Sequence, residues 1–105
     1  MHNSSRSPEA EAVLRELEVL RNRVSHWGQP RWVGRADTVY GLVQRIADLA
    51  ADAEGEPRRP VPRLDSDLAL VDQLRVVTAD LLAAGPAAHV LASAAADLAA
   101  VRRAL

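Results

Sequence analysis

Apolar side chains recur along most of this chain at alternating spacings of three and four, with polar residues filling the positions between them. The first such run is Ala10, Val13, Leu17, Leu20, Val24 and Trp27, widened by Leu14, and it predicts an amphipathic bundle helix. Ser7-Pro8-Glu9 marks its start: a hydroxyl to cap free amides, a proline at the first helical position, and a carboxylate where the helix dipole favours it. Gly28-Gln29-Pro30 is read as its stop, giving a helix over about 8–27. A second run, Ala36, Val39, Tyr40, Val43, Ile46 with Ala47, and Ala50, predicts a helix over about 35–54, opened either from Pro30 or by a cap at Asp37. Gly41 within it costs about 1 kcal/mol relative to Ala, a cost that a close backbone neighbour would explain. The third run is Leu64, Leu68, Val71, Leu74, Val77 and Leu81, a helix over about 66–84 with Asp65, Ser66 and Asp67 as caps. Gly85-Pro86 then joins a C-cap directly to an N1 proline. The fourth helix, over about 86–104, carries Ala87, Leu91, Ala94, Leu98, Val101 and Leu105.

Between the second and third helices lies 55–63, GEPRRPVPR, whose prolines forbid helix or strand interior and predict a stiff, partly polyproline-like connector. Four helices of similar length, about 30 Å each, with short joints between first and second and between third and fourth, predict an all-α four-helix bundle of two antiparallel hairpins. Residues 7–105 form one domain in this reading, and 1–6 a disordered tail. An up-down-up-down order would place the two short joints at one end and the Pro/Arg connector at the other.

Composition agrees with the pattern. There is no Phe, one Met and one Tyr, so the core is built from Leu, Val and Ala, and the β-branched and aromatic clusters that mark strands are missing. Thirteen basic residues, all Arg, against fourteen acids leave a net charge of −1, too balanced for bulk polyanion binding. Without Cys there is no disulfide, thiolate metal site or thiol nucleophile. Residues 1–6 lack the apolar segment of a secretory signal, and the longest uncharged run, 81–96, is cut by Gly85-Pro86 and too short to span a bilayer. A cytoplasmic protein without a membrane span is the expectation.

The compositional outlier is 21–35, RNRVSHWGQPRWVGR, which holds both tryptophans, four arginines, one histidine and no acid. The predicted topology gathers His26, Trp27, Arg31, Trp32 and Arg35 near Gly85, Pro86 and His89. Trp and Arg are over-represented in protein-binding hot spots, and a guanidinium stacks on an indole; alternatively, both tryptophans cap the end of a small core. Metal binding by His26 and His89 finds no support in their spacing. Ser93 lacks both a base and a nucleophile-elbow context. A helix-turn-helix would need polar side chains where the fourth helix begins Pro-Ala-Ala-His-Val-Leu-Ala, so nucleic acid is not expected as a partner. No cofactor is implied.

Trp32-Val33-Gly34 between two helices resembles the hairpin turn of the small secreted Trp-x-Gly proteins, which would imply dimerisation and export. The prolines at 57, 60 and 62 break that family's two long helices, and its C-terminal Tyr-x-x-x-acid signal is absent. The first helix, with LRELEVLRNRV, resembles the all-α chorismate mutases, whose dicarboxylate pocket uses Arg and Lys; this chain has no Lys. Membership of neither family is claimed. The expectation is a non-enzymatic helical protein-protein interaction module that self-associates, as a homodimer or with another protein, through the 21–35 corner. The alternatives are a small-ligand or anion-binding bundle, with an enzyme as one form of it, that uses the same Arg, His and Trp residues, or a regulator that contacts nucleic acid weakly through Arg.

Overall fold

The computed structural model describes residues 6–105. The expected tail therefore falls outside the described residues except for Arg6, whose guanidinium lies 3.5 Å from Glu11. Among the described residues the chain is helical without strands. Its elements are α1 (Pro8–Val24), α2 (Gln29–Trp32), α3 (Ala36–Glu54), a 3-10 turn (Asp67–Ala69), α4 (Leu70–Ala83) and α5 (Ala88–Ala104).

Local chemistry places most of the ends. Ser7 Oγ accepts from the Ala10 amide at 3.1 Å, so α1 starts as expected. It ends three residues early: the Trp27 amide bonds back to the Val24 carbonyl at 3.0 Å in a turn. Trp27 keeps the apolar phase of α1 without belonging to it, which is why the pattern ran on to 27. Gly28 is not a left-handed cap; at φ −86° it sits ahead of α2. The left-handed glycines are Gly34, Gly55 and Gly85. Gly55 caps α3 at φ 71°, turning the chain back on itself. Gly85 follows α4, but Pro86 and an extended Ala87 precede α5, so Pro86 is not its first residue.

The helices pair differently from the expected hairpins. α1 packs chiefly against α5, and α3 against α4, with lesser contacts of α3 to α5 and of α1 to α4. Chain neighbours α1 and α3, and likewise α4 and α5, are the diagonals of the bundle. The directions follow from contacts at each end. Ser7 and Ala10 share a groove with Gly85, Pro86 and Leu91, and Glu16 meets Arg102 at 3.3 Å, so α1 and α5 run parallel. Arg63 bridges Asp37 at the start of α3 and Asp67 just before α4, and Ala47 and Ala50 lie beside Val77 and Asp80 farther along, so α3 and α4 also run parallel. Two parallel pairs thus oppose each other, and the up-down-up-down order is corrected to down-up-up-down.

That order forces the connector to travel the whole length of α3, and a rail of polar side chains on α3 guides it. Arg58 pairs with Asp52 at 2.7 Å and reaches Asp48 at 3.9 Å. Gln44 Nε2 donates to the Arg59 carbonyl at 3.0 Å, while its Oε1 accepts the Val61 amide at 2.8 Å. The Tyr40 hydroxyl donates to the Val61 carbonyl. Arg63 closes the series on Asp37 at 3.0 Å, with its guanidinium 4.9 Å from the Tyr40 ring centre. From α4, Gln73 Nε2 donates to the Pro62 carbonyl at 2.8 Å. Prolines leave these carbonyls without helical or sheet partners, and the rail supplies them.

The core is Leu, Val and Ala closed by the tryptophans. In α1 and α5 the expected seam is the buried face, from Val13 to Val24 and from Leu91 to Val101. In α4 it is rotated: Leu70, Leu74, Thr78 and Leu81 are buried, while Leu64 and Leu68, expected in the seam, are 47% and 51% exposed. Gly41 has no foreign backbone beside it. A Cβ there would meet Arg45 Nη1 at 3.3 Å, so the glycine clears room for Arg45 to reach Asp97 on α5, at 2.7 and 2.9 Å.

Candidate functional site

The corner between α1 and α3 is assembled by three short-range devices. The turn after Val24 brings Trp27 inward, α2 brings Trp32 inward at its last residue, and Gly34 in the left-handed region turns the chain into α3. The two indoles meet edge to face, with centres 5.2 Å apart and planes at 71°, the arrangement favoured by the ring quadrupoles. Trp27 is 6% exposed and Trp32 1%. Both therefore close the core, as the capping alternative expected.

Arg31 in α2 and Arg35 just before α3 both cover Trp27, with guanidinium carbons 5.2 and 5.7 Å from its ring centre. Arg35 Nη1 also donates to the Arg31 carbonyl at 3.2 Å. Cations over an indole face contribute about 0.5–1 kcal/mol at such exposed positions. The corner is tied to the 3-10 turn at the start of α4 where Gln29 Nε2 donates to Asp67 at 3.1 Å. Trp32 Nε1 is buried without an acceptor, a desolvation cost that the packing of the ring has to offset.

His26 is exposed on the turn between α1 and α2. His89 is exposed in the first turn of α5, at the opposite end of the molecule. The neighbouring Pro86 and Ala87 lie against Leu49, Asp52 and Ala53 near the finish of α3, whereas the tryptophans stand at its start. The expected gathering of His26, Trp27, Arg31, Trp32 and Arg35 with His89 is thus corrected: the first five share the corner, and His89 does not. Parallel pairing is the reason, because it separates the two short joints by the length of a helix. Among the described residues no group of three or more His, Asp or Glu side chains is placed to hold a metal. No helix there is long and apolar enough to cross a membrane.

Two grooves flank the start of α4. One, of about 360 Å³, runs between Trp27, Trp32 and Val24 on one wall and Leu68 and Val71 on the other, with Arg21 and Asn22 at its rim. The second, of about 370 Å³, lies between the connector and α4, lined by Val61, Leu64, Val76 and Val77. Leu68 and Val71 line the first, and Ala69, Asp72 and Gln73 the second, so the two lie on different flanks of the same segment. Val76 is 52% exposed. The apolar pattern pointed to Leu64 and Leu68 but assigned them to the core, and so missed this surface. The rail on α3 was also missed, although Asp37, Tyr40, Gln44, Asp48 and Asp52 repeat at helical spacing.

Compared with protein-family models, with curated proteins and with solved structures, the chain matches none. The Trp32-Val33-Gly34 corner joins two helices that do not pair along their length, unlike the hairpin turn it resembles.

Proposed function

We propose that this chain is a non-enzymatic helical module for protein-protein contact that associates with a second copy of itself, using the surface around the start of α4. The observation that carries the reading is the half-exposure of Leu64, Leu68 and Val76 within one short stretch of chain, with an apolar groove on each flank of the start of α4. Clustered apolar side chains of this kind mark contact surfaces more often than isolated ones do. Arg21 and Asn22 form the polar border of that surface on the corner side, next to the Trp27 that Arg31 and Arg35 cover. In this reading the tryptophans shape one wall of the groove and do not themselves leave the core.

The test is light scattering over a range of concentrations, on the natural chain and on Leu64→Glu with Leu68→Glu. The natural chain is expected to dimerise, and the double variant to stay monomeric with unchanged helical circular dichroism, since neither side chain is buried. A natural chain that is monomeric throughout, or a double variant that dimerises equally well, overturns the reading.

A further inference from the structure

The geometry points to a dimer in which two copies exchange their C-terminal halves, hinging at residues 62–66; this inference rests on the self-association proposed above and specifies its form. The connector divides the helices into α1 with α3 and α4 with α5. Every major packing crosses that division: α1 against α5, α3 against α4, and α3 against α5. Within each half the helices are diagonal and cover little of each other, so neither half contains a core of its own. A half can be completed equally well by the complementary half of another copy, because the buried contacts are the same ones. Such exchange is a low-cost route to a dimer, since the only new terms are the hinge and the loss of independent motion.

The connector locates the hinge. Its ties to α3 through Asp52, Gln44 and Tyr40 all fall at Arg58, Arg59 and Val61. They lie on the N-terminal side of the hinge and survive exchange unchanged. Beyond Val61 the reversal into α4 is held by the Gln73 bond to Pro62 and by Arg63, whose partner Asp37 is 92% exposed. An ion pair so open to water contributes at most about 1 kcal/mol. Pro60 and Pro62 keep the adjoining backbone extended, which suits a chain passing outward to a second copy. Leu64 lies in the hinge and Leu68 just after it. Where two hinges pass each other, these are the side chains that meet, which accounts for their exposure in the single copy.

The chain has no cysteine, so an introduced pair reports its own connectivity. Glu16→Cys with Arg102→Cys replaces an ion pair between α1 and α5, and Arg45→Cys with Asp97→Cys replaces one between α3 and α5. Both pairs cross the hinge on partly exposed side chains, and circular dichroism confirms that each variant is folded before a short bifunctional thiol reagent is added. At concentrations where light scattering reports dimer, exchange predicts that both pairs link chain to chain. The covalent dimer on a denaturing gel then rises in proportion to the dimer fraction. If the protein is dimeric but both pairs close within one chain, exchange is overturned and self-association stands. If it is monomeric at all concentrations, self-association falls and exchange with it.

Discussion

The two crossings that carry the chain across the bundle are built on opposite principles. The corner at 25–35 is held by burial: two indoles in edge contact under two guanidiniums, with one indole N–H unpaired. The connector at 55–66 buries little, and is held by polar side chains that answer its backbone carbonyls and arginines one helical turn at a time. A crossing of the first kind cannot loosen without opening the core. One of the second kind can leave its rail while the helices stay packed.

Substitutions at the corner and along the rail test that contrast. Trp32→Ala empties the most buried ring and is expected to cost about 3–5 kcal/mol of global stability, read as a lower denaturant midpoint with an unchanged slope. A loss under about 1 kcal/mol would show that the corner is not held by burial. Gln44→Ala removes both bonds to the connector, at about 1–3 kcal/mol. Its signature is local: the Val61 amide should exchange with solvent freely while core amides of α3 and α5 remain protected. Equal loss of protection throughout would mean that the connector and the core are one cooperative unit. Tyr40→Phe takes away a single hydroxyl and keeps the ring under Arg63, so about 1 kcal/mol is expected, again by denaturation.

The smallest effect is in the charge pairs at the far end of the rail. Asp52 has its pKa lowered from the ordinary 3.8, first by the hydrogen bond from Arg58 and then by its charge. A carboxylate depressed in the folded state contributes stability above its unfolded pKa, and loses it as pH falls through the lower folded value. The pairing should therefore hold at neutral pH and fail only in acid below about 3.8. Arg58→Gln is expected to return the Asp52 titration, followed by carboxyl chemical shifts, toward the ordinary value. An unmoved titration would place the cause elsewhere.

The same contrast explains what could be read from sequence. Burial follows apolar spacing, so α3 and α5 were legible nearly to the residue, and so were the inward faces of α1 and of Trp27. The seam of α4 was misread because Leu64, Leu68, Val71 and Leu70, Leu74, Thr78 offer two phases that share Leu74 and Leu81. Only the neighbouring helices choose between them, and they bury a threonine hydroxyl to favour the second. The topology was misread because short joints suggest hairpins, whereas the connector's length and stiffness were the features that permitted a crossover. Tyr40, Gln44 and Gln73 looked like ordinary solvent-side residues, since a partner that is backbone leaves no mark in side-chain pattern.

The parallel pairing of α1 with α5 also has a consequence during synthesis. Helix α1 is made before its main partner, and Val13, Leu17 and Leu20 stay uncovered until α5 has left the ribosome. The α1 face has no other main partner, so it must be kept from wrong contacts until α5 is available. Holdase chaperones that recognise exposed leucine and valine are accordingly expected on ribosome-bound fragments ending before residue 88, and to leave once α5 is complete.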